Sequence, residues 1–226
     1  MKKYILLLFL CITLPLMAQS PGLFSFTLKA GASFGGSQPG KFRQQEAANL
    51  MLDFSGGVGL GLHFSSAWQI CVDMNYIRKG INCPLRRLET GSTFFKETNN
   101  TNVYGWFNNA YLEVPLTFGY TWGYGICRTR IGMFYARRLS TRSKLIIDGD
   151  LVEPLDDQYS KVYNLYEQQL SNHDYGIKIA NEFYFNDFSI GVEFSTGFVP
   201  TIQSQWRASD SQSYTMAIGF YAGYRF

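Results

Sequence analysis

The chain has 226 residues, of which 17% are aromatic and only 16% charged, and its 20 basic residues nearly balance its 17 acidic ones. This length fits one large β domain, and the balanced charge gives no reason to expect a nucleic-acid partner. The small charged fraction raises the question of where a water-facing surface would lie.

Residues 1–18 have the pattern of a secretory signal peptide. Two lysines near the start precede the apolar run at residues 4–18, and small residues come near its end. We expect cleavage after Ala18, which leaves residues 19–226 as a single domain. A membrane-anchor helix is disfavoured, because the run is shorter than the roughly 20 residues that a spanning helix needs and Pro15 interrupts it.

Eight later stretches alternate apolar and polar residues with period two, which is typical of β-strands with two different faces. Helical periodicity is nearly absent. The predicted strands are residues 22–37, 53–64, 68–80, 110–122, 126–139, 174–185, 188–198 and 213–226.

The connections between these strands alternate strictly between long and short. Three are tight, at residues 65–67, 123–125 and 186–187, and four are long, at residues 38–52, 81–109, 140–173 and 199–213. Transmembrane β-barrels have this asymmetry, with short periplasmic turns and long external loops. The sequence therefore predicts an all-β fold, an eight-stranded antiparallel up-and-down transmembrane β-barrel in the outer membrane of a Gram-negative bacterium.

Composition indicates which strand face meets lipid. One face is rich in Gly, Ser and Thr, which suit the crowded interior of an eight-stranded barrel. The other is apolar and carries aromatic residues near the strand ends, as expected for interfacial girdles. The candidate girdle residues are Trp68, Tyr76, Tyr120, Trp122, Tyr214 and Tyr224.

The last strand has apolar residues at alternate positions and ends on an aromatic residue. These positions are Ile218, Phe220, Ala222, Tyr224 and Phe226. The pattern resembles the C-terminal signal of Gram-negative outer-membrane proteins. The resemblance implies recognition by the barrel-assembly machinery, while closure against the first strand would hold the terminus in place.

Five stretches resemble the PorT-like family of outer-membrane β-barrels. They are VDMNYIRKGI at 72–81, AYLEVPLTFGY at 110–120, DYGIKIANEF at 174–183, GVEFSTGF at 191–198 and GFYAGYRF at 219–226. The resemblance implies an eight-stranded outer-membrane barrel, and one member of that family is implicated in type IX secretion.

Nine charged residues fall on the predicted lumen face. They are Lys29, Asp73, Glu113, Arg128, Arg130, Lys178, Glu182, Glu193 and Arg225. Buried charges need partners, so we expect ion pairs that plug the lumen. A polar conduction path or a small-ligand site is the alternative. Counting back from the turn at 186–187 places Lys178 opposite Ser195 and diagonal to Glu193, which predicts an ion pair there.

Several other residues invite a functional interpretation that the sequence does not favour. Pro115 removes a backbone donor inside a strand, so a bulge or local break is expected there. The only two histidines, His63 and His173, are predicted at opposite ends of the barrel. Ser171 and Asp174 lie near His173, but neighbours in sequence do not make a catalytic triad.

The cysteines of the predicted mature chain number three and are widely spaced. Cys71, Cys83 and Cys127 therefore indicate small apolar fillers rather than a disulfide framework or zinc site, and we expect no metal and no cofactor.

The third long loop contains an N-cap signal followed by apolar residues at helical spacing. Those residues are Tyr159, Tyr163, Tyr166 and Leu170. They predict a loop helix on the barrel rim or, alternatively, an aromatic patch for a partner or glycan.

Together these features predict a non-enzymatic barrel with a structural, adhesion or scaffold role through its outer loops. The alternatives are a small porin or an accessory component of type IX-like protein secretion, and a weaker one is an outer-membrane hydrolase. The expected partners are outer-membrane lipid and lipopolysaccharide, the barrel-assembly machinery, and an unidentified extracellular or secretion partner.

Overall fold

The computed structural model describes nine strands and short segments beside them. The described residues are 23–37, 51–84, 103–147, 150–152, 167–168, 170–201 and 214–226. The strands are β1 (Phe24–Ser37), β2 (Met51–His63), β3 (Trp68–Pro84), β4 (Val103–Trp122), β5 (Cys127–Ile147), β6 (Asp150–Val152), β7 (His173–Phe185), β8 (Phe188–Pro200) and β9 (Tyr214–Arg225). The predicted signal peptide lies outside the described residues.

Eight of the strands close into an antiparallel barrel. Each pairs with the next along the chain, β5 pairs with β7, and β9 returns to pair with β1 from Thr27↔Arg225 to Ser37↔Thr215. The three-residue β6 only extends the ladder on the end of β5. The predicted eight-stranded antiparallel barrel is confirmed, and closure leaves no barrel strand with a free edge.

The short turns all lie at one end of the barrel, which we call the turn side; the opposite end is the loop side. Residues 64–67, 123–126 and 186–187 make the three connections. Asn186 adopts a left-handed conformation with φ of 58°, and Gly125 has φ of 89°. Asn and Gly tolerate this region at little steric cost, so these residues favour tight reversal of the chain.

Strands β3, β4 and β5 are longer than the alternation predicts. They contain 17, 20 and 21 residues, and the other barrel strands contain 12 to 14. Pairing continues past the predicted ends, as Ile81↔Phe107 and Trp106↔Lys144 show. The predicted loops at 81–109 and 140–173 are therefore partly strand, and these three strands extend beyond their neighbours on the loop side.

A β-bulge interrupts the pairing of β4 with β5. Ala110 pairs with Ser140 while Tyr111 pairs with Arg138, so Leu139 is the extra residue. The irregularity expected at Pro115 takes a milder form. Register is the same on both sides of Pro115, and only the bridges from β3 to residues 114 and 115 are missing, because proline has no N–H to donate.

The outer wall of the barrel is apolar, as the alternation predicts. Aromatic residues meet near the turn side, where the rings of Trp68 and Tyr120 lie 4.4 Å apart and those of Phe188 and Tyr224 lie 5.0 Å apart. Side chains that would be a core in a soluble protein are exposed, among them Leu116 at 57%. This face is suited to lipid.

No helix among the described residues is long and apolar enough to cross a membrane.

Candidate functional site

The lumen contains a first group of paired charges near the turn side, which we call the turn-side cluster. Its members are Lys29, Asp73, Arg128, Arg130 and Glu182. Arg130 bridges two carboxylates, with NH1 2.7 Å from Asp73 Oδ2 and NH2 2.8 Å from Glu182 Oε1. Lys29 Nζ lies 2.9 Å from Asp73 Oδ2, and Arg128 Nε lies 3.6 Å from Glu182 Oε2. The cluster therefore ties together β1, β3, β5 and β7 across the lumen.

Two tyrosines complete the coordination of Glu182. Tyr221 donates its hydroxyl to Glu182 Oε1 at 2.6 Å, and Tyr184 donates to Oε2 at 2.7 Å. Arg130 NH2 also lies 3.3 Å from the Tyr221 hydroxyl. Each Glu182 oxygen thus has at least two partners, which a carboxylate buried away from water requires.

A second group, the loop-side cluster, lies nearer the long connections. Its members are Lys79, Glu113, Asp174, Lys178 and Glu193. Lys178 Nζ lies 2.9 Å from Glu113 Oε1 and 2.9 Å from Glu193 Oε1. Lys79 Nζ lies 2.8 Å from Glu113 Oε2 and 3.7 Å from Asp174 Oδ2. The ion pair predicted between Lys178 and Glu193 is thus present, and Glu113 is a second partner.

The two clusters together carry no net charge. Three bases meet two acids in the turn-side cluster, and two bases meet three acids in the loop-side cluster. The side chains of Lys79 and Glu113 are both 0% exposed. Burying an ion costs several kcal/mol unless partners surround it. The balance and short distances indicate charges fixed on one another rather than held open for passing ions.

Sequence reasoning missed two members of the loop-side cluster, although the signal was present. Lys79 continues the alternation of Asp73 along β3, and Asp174 continues that of Lys178 along β7. Asp174 also accepts a hydrogen bond from the Thr215 hydroxyl on β9. Extending each inward-facing series to its strand end would have found both residues.

An apolar layer lies beside the loop-side cluster inside the barrel. It consists of Ile77, Tyr111, Phe134, Ala136 and Ala217, all at most 3% exposed. The ammonium of Lys79 lies 4.0 Å from the centroid of the Phe134 ring, a cation–π contact. These residues stand on the face that is otherwise small and polar, so the sequence pattern did not predict a hydrophobic layer there.

Glycines make room for the inward-facing side chains. A Cβ at Gly59 would overlap the carboxylate of Asp73, and one at Gly191 would overlap the ring of Tyr221. A Cβ at Gly219 would lie 2.8 Å from Glu193 Cγ. The Gly-rich face of the strands thus accommodates large charged and aromatic side chains projecting from other strands.

Arg225 is separate from both clusters. It is half-buried near the turn side, and its guanidinium carbon lies 4.9 Å from the centre of the Tyr184 ring. The Arg128 guanidinium lies 4.4 Å from the same ring centre. His63 is also near this end, where Nε2 lies 2.9 Å from the Ser25 hydroxyl.

The residues weighed as a hydrolase triad do not assemble into one. His173 stacks on the ring of Tyr135 and hydrogen-bonds its hydroxyl on the outer face. Asp174 points into the lumen, and the Ser171 hydroxyl donates to the Pro200 carbonyl at 2.6 Å. Within the described ranges, no group of three His, Cys, Asp or Glu residues is placed to hold a metal ion.

The remaining predicted residues lie in different parts of the structure. Cys71 and Cys127 are free thiols, and the side chain of Cys83 is outside the described residues. Leu170 is buried at 3%, whereas the other members of the predicted loop patch, Tyr159, Tyr163 and Tyr166, lie outside the described residues.

The C-terminal residues Ile218, Phe220, Ala222, Tyr224 and Phe226 all lie on the outer face of the barrel, at least partly exposed.

A family model described as "Outer membrane protein beta-barrel domain" matches residues 17–203 of the chain. No curated protein matches the chain.

Solved outer-membrane barrels resemble the structure at low sequence identity. Ail, the attachment invasion locus protein of Yersinia pestis, is 9% identical with a TM-score of 0.44, over 91% of this chain and 100% of that chain. Neisserial surface protein A is 8% identical with a TM-score of 0.38, over 90% and 97%. OprG from Pseudomonas aeruginosa is 12% identical with a TM-score of 0.36, over 90% and 96%. Likeness at this level carries no inference about function.

Proposed function

The chain belongs to the outer membrane protein beta-barrel domain family, and from that premise we propose that it is a closed, non-catalytic barrel. Its role is to hold the loop-side ends of its strands and the connections between them at the cell surface for adhesion or scaffolding. The five PorT-like motifs support a closer relationship to the PorT-like barrels. The alternation of short turns and long connections supports an orientation with the turn side in the periplasm.

The observation that carries this proposal is the filled lumen. Two charge clusters and an apolar layer occupy the space that a porin leaves to water. Arg130 and Lys178 are 2% and 1% exposed. Moving an ion through would require breaking short ion pairs and displacing the ring of Phe134. A small porin is therefore disfavoured, since an aqueous channel is a feature of much wider barrels.

The long strands support a role on the loop side. β3, β4 and β5 continue beyond the other strands, and β6 pairs with the end of β5. Building this extra sheet orders further residues at an entropic cost of roughly 1–2 kcal/mol each. A barrel that served only to span the membrane would gain nothing from this extra sheet. A barrel that holds a contact surface outside the bilayer would be extended and stabilised by it.

Single-channel recording tests the closed lumen. The full chain is reconstituted in planar bilayers beside an open porin as a positive control. We expect no steady current from the parent. Ion-selective steps that scale with protein concentration would overturn the proposal, and a parallel assay of lipid and peptide hydrolysis would detect the enzyme alternative.

A further inference from the structure

The outer face of β5 changes character along its length. Its turn-side half presents Ile131, Met133 and Tyr135, which are 57%, 61% and 49% exposed. Its loop-side half presents exposed cationic side chains. These are Arg137, Arg142 and Lys144, and we call them the β5 cationic strip.

The bulge at Leu139 places all three cations on one face. Residues 137 and 142 are an odd number of positions apart, so strict alternation would turn them to opposite sides of the sheet. The extra residue reverses the alternation, and Arg137 pairs with Leu112 while Arg142 pairs with Asn108. Without the bulge, Arg142 and Lys144 would point to the lumen side of the wall.

The height of the strip matches a membrane surface. Strands tilted as in such barrels rise about 2.5 Å along the axis per residue, and the apolar band is about 25 Å tall. A band that begins at Ile126, which is 51% exposed, ends near Tyr135 on this scale. Arg137 then stands at the boundary of the hydrocarbon, while Arg142 and Lys144 lie about 15–20 Å beyond it on the same scale, outside the thin headgroup layer of a phospholipid and at the level of a larger headgroup.

The strip has no anionic partner within the described part of the chain. The structure gives no ion pair there to Arg137, Arg142 or Lys144; the ammonium of Lys144 lies 5.2 Å from the Trp106 ring centroid. Two other cations near this rim, within the described part of the chain, have partners. Arg78 Nε lies 3.6 Å from Asp53 Oδ2, and Arg138 donates to the carbonyl oxygens of Glu167 and Leu170.

We propose that the β5 cationic strip binds the phosphate groups of a glycolipid in the adjoining leaflet, of the lipopolysaccharide type. Guanidinium groups match phosphate geometry in a bidentate way. A lipid is the indicated source because the strip continues the column of Ile131, Met133 and Tyr135, so a molecule with acyl chains on that column brings its headgroup to the cations. The inference rests on the outward orientation of the loop side proposed above.

The test measures binding of fluorescent lipopolysaccharide to the folded full chain in mixed detergent micelles. The same lipopolysaccharide after enzymatic dephosphorylation is the second probe. The test variant is R137Q/R142Q/K144Q. The parent should prefer the phosphorylated probe, and the triple variant should bind it about 100-fold more weakly, since each of the three cations near a charged lipid surface contributes about fivefold.

Two matched variants serve as controls. R137K/R142K/K144R keeps the charge and should retain more affinity than the glutamine variant. K41Q/R43Q/R207Q removes the same number of positive charges from two of the long connections, away from β5, and should bind as the parent does. The heat-dependent gel shift of folded barrels confirms folding of each.

Equal binding of the dephosphorylated probe, or unchanged binding by the triple glutamine variant, would overturn the inference. So would stronger competition by soluble heparin than by phosphorylated lipid, because the strip would then recognise a polysaccharide. Surface labelling of tagged cells reports orientation separately. Failure of the orientation is thus distinguishable from failure of phosphate binding.

Discussion

Arg130 and Asp73 meet inside the barrel, with NH1 2.7 Å from Oδ2, although 57 positions separate them in sequence. They project from β5 and β3, which are not neighbours in the sheet because β4 lies between them. The contact therefore crosses the lumen instead of following the wall. Pairs of this kind couple strands that backbone hydrogen bonds do not join directly, so each charge bears on the stability of the whole barrel.

The pair of Lys178 with Glu193 gives the clearest stability test. Lys178→Met should destabilise the barrel by about 3–5 kcal/mol, because Glu193 then remains buried without its cation. Adding Glu193→Leu should recover much of this loss, since Glu113 keeps Lys79 as a partner at 2.8 Å. Urea unfolding in lipid vesicles measures Lys178→Met, Glu193→Leu and the double variant. Losses that simply add in the double variant would contradict an ion-paired plug.

The lipid-facing assignment predicts a different effect at Ile131. This side chain is 57% exposed on the outer wall, and it lies near the middle of the apolar band that runs from Ile126 to Tyr135, so Ile131→Arg should cost about 2–4 kcal/mol. Ile131→Leu is the matched control and should be nearly neutral. Urea unfolding in lipid vesicles measures both variants. Equal stability of Ile131→Arg and the parent in lipid would show that this face does not meet hydrocarbon.

Gly191 separates steric from electrostatic effects in the lumen. Because a Cβ there would overlap the Tyr221 ring, even Gly191→Ala should be destabilised, by about 1–3 kcal/mol as for overpacked cores. Gly191→Arg should be worse mainly because it is larger. Thermal or urea unfolding of both variants tests this. A fully stable Gly191→Ala would mean that Tyr221 has room to move.

Orientation is tested by epitope tags. A tag inserted near Asn99 lies in a long connection, and one near Gly123 lies in a short turn. Antibody labelling of intact cells should detect the first, and the second only after permeabilisation. Labelling of the Gly123 tag on intact cells would reverse the orientation.

Much of the fold could be predicted because one physical rule acts on every strand. Lipid outside and a crowded lumen inside impose period-two alternation, so the strand faces follow from it. The partnership of Lys178 with Glu193 also followed, since the two-residue turn at Asn186 fixes the register of β7 against β8. Local information was enough wherever the two strands are joined by a tight turn.

Contacts across the lumen could not be predicted in the same way. Lys178 pairs with Glu113, and Lys29 pairs with Asp73, because of the stagger of strands around the closed barrel. No local sequence pattern encodes that stagger. The bulge at Leu139 could not be predicted from the sequence either. It leaves the apolar stretch of β5 unchanged and alters the faces that the residues beyond it, among them Arg142 and Lys144, occupy.

The last residue tests whether the C-terminal pattern is an assembly signal or only part of the barrel wall. The ring of Phe226 lies 4.7 Å from that of Tyr224 and 5.8 Å from that of Phe26, and its N–H donates to the Phe26 carbonyl at 2.9 Å. The backbone bond survives substitution, so Phe226→Ala removes only two ring contacts at an exposed position, each worth about 0.5–1.5 kcal/mol. Refolding of purified Phe226→Ala in detergent should thus be nearly normal. Its insertion in cells should fall sharply if the assembly machinery reads the terminal aromatic residue, whereas Phe226→Tyr should insert almost as well as the parent. Insertion is measured as the fraction of heat-modifiable barrel in isolated outer membranes. Equal losses in cells and in detergent would mean that Phe226 acts only through packing, and normal insertion of Phe226→Ala would show that the terminal ring is not recognised.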